Sequence, residues 1–461
     1  MAAGKGSRMT EMTAKKAKCL LPIGNLPMIW FPIHLLERSG FQEVIVVILE
    51  PVKNEVQAAL DKLCFKIKIE LVGIQSEDTG TADSLRYLQE SNRIRCDVLV
   101  VSCDLVTDVN LVPLFDLYRK HDAAYAALFV QNKTSVQTLA TPGPKMKDKP
   151  ERDFVGINGA TSRLVFIGSA SDYEEVVPMS RKNLIKRYGR ITIHSKLMDA
   201  HLYIIKKWLC EYLVTKKSVS TLKGELLPYV VKKHVSHGNK LKIEQDKTSV
   251  IGMDLKKDIT QFAQENALTC KIRTMSAYTD SRCQVVYNND SIRCYAHVVT
   301  DDSYAVRINT LQQYCRLNRE ILDKWSTLTG SRELVRIAPS ASVKSTQLDA
   351  ETCLVGAGCQ IAEKTSLKNT ILGPSVTVST KTRIANSVVM HGVRIGEGCN
   401  IQNCVICEDS IVQDGCELKD CLVGSQHVVQ ANSMYSTQQA ENVLHKIFIC
   451  HPASCFFEWC S

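Results

Sequence analysis

The chain has 461 residues, enough for two or three domains with sizeable buried cores. An apolar fraction of 45% and a charged fraction of 23% are those of an ordinary globular protein. The sequence contains no run of about 18 apolar residues, the length that a membrane-spanning helix needs. The 19 cysteines are scattered and we see no export signal, so we expect reduced thiols in the cytosol. The net charge of +9 lies in lysine-rich segments without interleaved aromatic residues, which argues against direct nucleic-acid binding.

A glycine-rich loop, Ala3–Arg8 (AGKGSR), opens the chain and is followed ten residues later by Lys18. Gly4 and Gly6 carry no side chain that would hold the backbone away from a ligand, while arginine and lysine neutralise phosphate oxygens. The pattern therefore favours phosphate binding at Gly4, Gly6, Arg8 and Lys18. Because a short G-x-G motif is a weak signal by itself, an ordinary turn is the alternative at this point.

Helices and strands are predicted to alternate over the next two hundred residues. Near-continuous apolar strands indicate an α/β domain with a largely parallel sheet covered on both faces. Ligands of such sheets bind at the carboxyl ends of the strands, where Asp104 and the turn with Gly80 and Thr81 both lie. The predicted helices are 26–38, 52–63, 84–90 and 224–233, and the predicted strands are 43–49, 66–72 and 97–103.

Two lysine-rich segments interrupt this pattern. Residues 141–152 have the composition of an exposed loop, and residues 234–257 that of a flexible connection between domains. Beyond them, apolar periodicity predicts further elements that would brace the α/β domain against the rest of the chain. These elements are short strands over 283–287 and 294–299 and a helix over 308–325.

The strongest pattern is a repeat of seventeen residues near the C-terminus. Spacings of six, six and five residues per coil, with one aliphatic residue pointing inward from each of three short strands, predict a left-handed parallel β-helix. One polar corner position also recurs, and stacked amides there would form a ladder. The aliphatic series include Val355, Leu372, Val389, Ile406 and Val423, and the corner series is Asn369, Asn386, Asn403 and Asp420.

Two motifs within the repeat suggest other chemistry. Cys404 and Cys407 have C-x-x-C spacing, but they flank an apolar pair on one coil and no second pair would close a zinc tetrahedron. His391 suggests an acyltransferase histidine, but the long inserted loop that such a pocket needs is missing. We therefore interpret these residues as structural.

Four stretches together resemble the sugar-phosphate nucleotidyltransferases, which make nucleotide sugars from a nucleoside triphosphate. The matching stretches are AGKGSRM, LLPIGNLPMI, GTADSL and VLVVSCDL, which begin at residues 3, 20, 80 and 98. The resemblance implies that the triphosphate lies at Gly4, Gly6 and Arg8. It further implies that Lys18 is the signature lysine, that Gly80 and Thr81 meet the base, and that Asp104 holds Mg²⁺ if any metal binds.

Departures from the family pattern are equally informative. Lys18 lacks its flanking prolines, Asp104 closes S-C-D instead of N-G-D, and residues 150–154 (PERDF) do not match the E-K-P segment that contacts the sugar phosphate. Asp199 is the nearest candidate for a second metal ligand, and we interpret it as structural. Because phosphoryl transfer depends on positioning and charge stabilisation, we expect a retained fold, no catalytic residues and a vestigial nucleotide pocket.

The β-helix narrows the resemblance to a few groups with both domains. These include GDP-mannose pyrophosphorylases, bacterial nucleotide-sugar enzymes, and the gamma- and epsilon-subunit families of eukaryotic translation initiation factor two-B. Stretches within 80–88, 97–109, 151–158 and 198–207 are most similar to the gamma-subunit family. The epsilon family continues into a helical-repeat domain that performs nucleotide exchange, whereas this chain ends after the β-helix.

This resemblance implies a non-catalytic subunit of the factor that exchanges GDP for GTP on initiation factor two during translation initiation and its stress regulation. The implied partners are the epsilon, beta, delta and alpha subunits and initiation factor two as substrate, with no membrane, no nucleic acid and no required cofactor. Residual nucleotide or Mg²⁺ binding is left open. The alternative is an active sugar-phosphate nucleotidyltransferase such as mannose-1-phosphate guanylyltransferase.

Both ends of the chain depart from these patterns. Met1 and Ala2 are too short to supply the strand that a glycine loop needs before it, so we expect the α/β domain to be compromised there. From Met434 the repeat breaks, which we attribute to an alternative final exon or a gene-prediction error. The predicted domains are 1–233 (α/β), 234–336 (connecting segment), 337–431 (β-helix) and 432–461 (atypical tail).

Overall fold

The computed structural model describes residues 1–436 and 448–449, except for 5, 76–78, 132–141, 143–151, 174–187, 189, 237–257, 264–267, 269–270, 272–274, 276–291, 300–302 and 331. Most of both lysine-rich segments, the predicted strand over 283–287 and most of the tail therefore lie outside the described residues. None of the helices within the described ranges combines the length and the hydropathy that a membrane span requires.

The N-terminal half contains a mixed seven-stranded sheet and a separate two-stranded parallel sheet, which confirms the α/β class. The strands are β1 (Pro22–Ile23), β2 (Leu26–Pro27), β3 (Glu43–Leu49), β4 (Lys68–Ile74), β5 (Val98–Val101), β6 (Leu105–Thr107), β7 (Tyr125–Gln131), β8 (Asp153–Asn158), β9 (Arg163–Ser169), β10 (Ile191–His194), β11 (Leu197–Ile205), β12 (Cys294–Val299) and β13 (Ala305–Arg307). The larger sheet has the order β10-β8-β9-β12-β7-β11-β5.

Strand direction in the larger sheet differs from the largely parallel arrangement that we expected. β7 and β12 run parallel, and the other pairings are antiparallel. The strands on which the prediction rested, β3 and β4, do pair in parallel over seven residues. The antiparallel strands come mainly from residues 153–205, where β8 returns directly into β9 through a short hairpin, and a hairpin can only join antiparallel strands.

Helices cover the sheets and join them to the C-terminal half. They are Thr10–Thr13, Trp30–Arg38, Lys53–Asp61, Thr81–Glu90, Val112–His121, Lys207–Thr215, Leu227–Ser236, Ile259–Phe262, Leu311–Glu320 and Trp325–Thr329, with a π-helical turn at Leu222–Leu226. The predicted helix over 26–38 begins only at Trp30, because β1 and β2 form a hairpin. Gly24 and Asn25, its two turn residues, both have positive φ, as such tight turns require.

Met1 and Ala2 lie between β3 and β5, which do not pair with each other. The Met1 ammonium group donates to the Val101 carbonyl at 2.9 Å, and the Cys103 N–H donates to the Met1 carbonyl at 3.0 Å. On the other side, the Ala2 N–H donates to the Val47 carbonyl at 2.8 Å. These backbone bonds link the two sheets immediately before the glycine-rich loop.

The C-terminal half is a left-handed parallel β-helix, as predicted. Three sheets run along it, and each coil pairs in register with the coil seventeen residues later. The first sheet contains Leu354–Val355, Ile371–Leu372, Val388–Val389, Val405–Ile406, Leu422–Val423 and Phe448–Ile449. The second contains Ser342–Val343, Gln360–Ile361, Thr377–Val378, Arg394–Ile395, Ile411–Val412 and Val428–Val429. The third contains Ser366–Lys368, Arg383–Ala385, Asn400–Gln402, Glu417–Lys419 and Met434–Ser436.

The corner residues form part of the predicted ladder, with side-chain hydrogen bonds at two of its three steps. Asn369 donates its side-chain amide to the Asn386 side chain at 3.1 Å, and Asn403 donates to Asp420. All four residues have φ between 48° and 55°, which asparagine tolerates better than most residues. The ladder thus stabilises a left-handed corner in each coil.

The repeat continues past the predicted break in two described strands, Met434–Ser436 and Phe448–Ile449, and the latter pairs in parallel with Leu422–Val423. Met434–Ser436 pairs in parallel with Glu417–Lys419, and Tyr435 lies opposite Leu418. The prediction that the repeat breaks at Met434 was therefore wrong for these strands. Pairing depends on the backbone, so an unusual side chain such as Tyr435 does not prevent it.

The outward residues of the first sheet pack against the N-terminal half instead of facing water. The shared cluster contains Leu354, Ile371, Val388, Val405 and Leu422 from the β-helix together with Trp30, Phe31, Tyr314 and Trp325. Helix Leu311–Glu320 contributes Tyr314 and Leu317 to this cluster, which confirms its predicted bracing position. One apolar core therefore joins the two halves.

Candidate functional site

Asp104 lies just beyond the carboxyl end of strand β5, and the structure brings it into contact with Lys18. The Lys18 ammonium group lies 2.8 Å from Asp104 Oδ2, and the Ser102 hydroxyl donates to Asp104 Oδ1 at 2.7 Å. These contacts unite two of the residues that the sequence singled out, one after the glycine loop and one after β5. They place an ion pair where we expected a vestigial nucleotide pocket.

Arg307 is a third member of this cluster, and sequence reasoning missed it. Its Nε lies 3.4 Å from Asp104 Oδ1 and its Nη2 lies 3.4 Å from Oδ2, a two-pronged contact that suits a guanidinium group. β13 pairs antiparallel with β6, with Arg307 opposite Leu105, and the Ile308 N–H donates to the Asp104 carbonyl at 2.9 Å. Strand pairing therefore fixes Arg307 beside Asp104.

Charge pairing keeps the Asp104 carboxylate ionised in a buried position. Asp104 is 4% exposed and Arg307 is 8% exposed. Burial alone would raise the pKa of Asp104, but the Arg307 and Lys18 charges and the Lys18 and Ser102 hydrogen bonds hold that pKa well below its ordinary value. Burial likewise works to lower the pKa of Arg307, but Asp104 and Asp199 together raise it.

Asp199 lies in an irregular stretch of β11, near the same cluster. The register of β11 against β7 shifts between Asp199 and Tyr203, and His201 within the shift has a φ of 49°. The Tyr203 hydroxyl donates to Asp199 Oδ2 at 2.7 Å and the His201 N–H donates to Oδ1 at 2.8 Å. Burial raises the pKa of Asp199. Since both oxygens accept bonds within β11, the geometry supports our structural interpretation of this residue.

The Gly80 turn is covered by the segment that precedes the π-helical turn. The Ala82 N–H donates to the Ser220 carbonyl at 2.9 Å, and the Thr81 hydroxyl accepts from the Leu222 N–H at 2.9 Å. A Cβ atom at Gly80 would lie 2.0 Å from the Ser220 oxygen, so glycine is needed here for close backbone approach. The family resemblance implied that this turn contacts the nucleotide base, but its groups contact another segment of the chain instead.

The glycine loop itself is folded back on its own continuation. Gly6 has a φ of 74°, and its carbonyl accepts from the Met9 N–H at 2.8 Å. Gly4 and Arg8 are exposed. Two residues past the loop reach the β-helix, where Lys15 contacts Gln426 and Lys16 forms an ion pair with Glu408. The segment between the loop and Lys18 is therefore held against the β-helix.

A further ion pair lies in the segment that departs from the sugar-phosphate pattern. Asp153, the first residue of β8, is buried and its carboxylate lies 2.8 Å from the Lys223 ammonium group of the π-helical turn. Asp153 therefore contributes to internal packing between β8 and the turn.

The residues around Asp104 do not fit a Mg²⁺ ion. Magnesium needs free oxygen ligands in a near-octahedral arrangement, whereas both Asp104 oxygens face N–H or O–H donors and two cationic groups adjoin them. Within the described residues, no group of three or more histidine, cysteine or carboxylate side chains could hold a metal. The C-x-x-C pair in the β-helix lies among these residues and belongs to no such group.

Two family models match separate parts of the chain. Residues 1–138 match the family model described as nucleotidyl transferase, and residues 332–434 match the one described as the EIF2B subunit epsilon LbH domain.

Relatives named translation initiation factor eIF2B subunit gamma cover longer stretches. The protein from Schizosaccharomyces pombe is 27% identical over 372 residues, 80% of this chain and 71% of the relative. The protein from Dictyostelium discoideum is 24% identical over 392 residues, which are 80% of this chain and 85% of the relative. The protein from Caenorhabditis elegans is 29% identical over 246 residues, which are 52% of this chain and 59% of the relative. The chain therefore combines a nucleotidyltransferase-like domain with a left-handed β-helix, and it is similar over most of its length to gamma subunits of eIF2B.

Proposed function

We propose that the chain is a non-catalytic subunit of the eIF2B complex, which supports the catalytic epsilon subunit as that complex exchanges GDP for GTP on initiation factor two. The observation that carries this proposal is the closure of the Asp104 site by Lys18 and Arg307. A transferase needs that carboxylate for a metal or substrate, and here internal cations neutralise it. In this role the chain works in the cytosol with the epsilon, beta, delta and alpha subunits and needs no cofactor.

A second observation supports the loss of transferase chemistry. The Ala82 N–H and the Thr81 hydroxyl are engaged by the Ser220 segment, so a base would have to displace backbone bonds to reach them. Phosphoryl transfer relies almost entirely on positioning and charge stabilisation. In this protein the groups that would provide both bind other groups of the same chain instead.

The β-helix supplies a surface for a partner subunit. Outward residues of its second sheet are polar in the early coils, for example Gln360 and Arg394, but the last two are Ile411 and Val428, which are 36% and 45% exposed. Exposed neighbouring aliphatic side chains favour burial against another protein. We propose that this end of the second sheet contacts the epsilon subunit.

Co-purification from cells tests the subunit role. We expect the tagged chain to recover the other eIF2B subunits in fixed ratio, and an Ile411→Asp/Val428→Asp variant to recover much less epsilon subunit. Gln360→Asp/Thr377→Asp is the matched control, since it adds the same two charges to the early coils of the same sheet, and it should recover the wild-type amount. Recovery of the wild-type chain alone would contradict the proposal.

An activity assay tests the enzymatic alternative. The purified chain is incubated with GTP, mannose 1-phosphate and Mg²⁺, and pyrophosphate release is measured beside an active guanylyltransferase. We expect no release above background. Turnover that disappears in an Asp104→Ala variant would establish the transferase and overturn the non-catalytic role.

A further inference from the structure

We propose that Arg307 is a built-in cation that takes the place of a divalent metal at Asp104, so that this pocket is neutralised permanently by the protein itself. The inference goes beyond the subunit role, because it concerns the chemistry of the pocket and holds whichever complex the chain joins. Its basis is the two-pronged contact that Arg307 makes with the buried Asp104 carboxylate.

The first argument is the direction of the donors around Asp104. Oδ1 accepts from the Ser102 hydroxyl at 2.7 Å and faces Arg307 Nε at 3.4 Å. Oδ2 accepts from Lys18 at 2.8 Å and faces Arg307 Nη2 at 3.4 Å. A metal ligand must turn lone pairs toward the ion, and each oxygen here already turns them toward a cationic donor.

Charge balance gives the second argument. One carboxylate, Asp104, is met by two cationic side chains, so its charge is already neutralised by the protein. A divalent ion entering a buried position beside Lys18 and Arg307 would be repelled by both, and repulsion is strong where water screens little. The site thus excludes the ion by charge as well as by geometry.

Asp199 gives the third argument. It is the other buried carboxylate of this region, and its charge, like that of Asp104, raises the pKa of Arg307. The Asp199 oxygens accept bonds from His201 and Tyr203, so Asp199 is held in place without a metal. Arg307 is therefore paired with Asp104 by contact, and the charge of Asp199 adds to the stability of its charged form.

The backbone shows why Arg307 cannot easily leave. β13 pairs with β6 across three residues, and the bond from the Ile308 N–H to the Asp104 carbonyl fixes the following residue as well. Ile308 is fully buried in the core shared with the β-helix. The cation is therefore anchored by the same segment that joins the two halves of the protein.

Electron paramagnetic resonance of Mn²⁺, which replaces Mg²⁺ at oxygen sites, tests the inference on the full chain. We expect millimolar Mn²⁺ to remain free in the presence of the wild-type protein. A Lys18→Ala/Arg307→Ala variant should bind one equivalent, and addition of Asp104→Asn to that variant should abolish the binding. Arg307→Lys, which keeps the charge, should leave Mn²⁺ free.

Two results would overturn the inference. One is wild-type binding of an equivalent of Mn²⁺ that Asp104→Asn removes, a measurement that does not depend on whether any cation-deleted variant folds. The other is a Lys18→Ala/Arg307→Ala protein with a native circular dichroism spectrum that still binds no Mn²⁺. Wild-type Mn²⁺ binding would also remove the observation on which the non-catalytic role rests, whereas membership of the complex is decided separately by co-purification.

Discussion

The β-helix and the Asp104 cluster bury side chains by opposite means. In the β-helix, the buried inward residues are mostly aliphatic, and each stacks on an equivalent residue seventeen positions away, as Ile384 stacks on Ile401. In the cluster, Lys18, Asp104 and Arg307 come from three distant segments, and each is stable only because of the others. Repetition makes one region tolerant of small changes, whereas buried charge makes the other depend on individual partners.

The largest expected effect is that of Arg307→Ala. This substitution leaves Asp104 buried with one cation fewer, and breaking a buried ion pair in this way costs about 3–5 kcal/mol. Arg383→Ala removes the same side chain from an exposed position on the β-helix and should change the free energy of unfolding by no more than about 0.5 kcal/mol. Urea denaturation of both variants measures the difference, and similar values would remove the contrast between the regions.

The next effect depends on pH. The pKa of an unfolded aspartate is about 3.9, and the folded pKa of Asp104 lies well below it, so the stability from its ion pairs is present above about pH 4 and is lost as pH falls through the folded value. We expect Asp104→Asn to lower the free energy of unfolding by on the order of 2–3 kcal/mol at pH 7 and by less at pH 3. Denaturation at both pH values checks this. An equal or larger loss at pH 3 would contradict it.

Gly80→Ala should have an intermediate effect. The added Cβ would meet the Ser220 carbonyl at 2.0 Å, so the backbone of one segment must move, at about 1–3 kcal/mol. Gly4→Ala is the control, since a Cβ there meets nothing within 4 Å. Limited proteolysis should show faster cleavage near Ser220 in the first variant alone; an unchanged cleavage rate would mean that the segment does not depend on this contact.

The smallest effects are expected inside the β-helix. Ile384→Val and Ile401→Val each remove one methylene from a fully buried inward position and should cost about 0.5–1.5 kcal/mol. Because the two positions are equivalent, the two losses in thermal or urea unfolding should agree within about 0.5 kcal/mol. A larger gap between them would show that repetition does not make the coils equivalent.

These two regions also differ in how far the sequence predicted them. The β-helix was predictable because each coil repeats the same inward positions, and strand β3 was predicted to the residue because seven consecutive residues carry the signal. The Asp104 site was only half predictable. Lys18 and Asp104 belong to recognisable motifs, but Arg307 lies 203 residues from Asp104 and no local pattern marks it.

Two other differences had signals of unequal strength. The hairpin at Gly24 and Asn25 was visible as a two-residue turn between short apolar pairs, but the helical periodicity after it led us to extend the helix too far. The closure of the Gly80 turn by Ser220 had no signal, because it depends on a backbone approach between segments 140 residues apart. Contacts of that kind follow from tertiary packing, which local sequence does not encode.

The core shared by the β-helix and the helices around Trp30 has a mechanical consequence. Its five outward β-helix residues are buried along the first five strands of one sheet, so the β-helix is attached along a line instead of at a single point. A displacement of one end of the β-helix is then transmitted through this core to the segment that carries Asp104, with no flexible linker between them in the described part of the chain. The orientation of the β-helix relative to the N-terminal half is therefore set by this shared core.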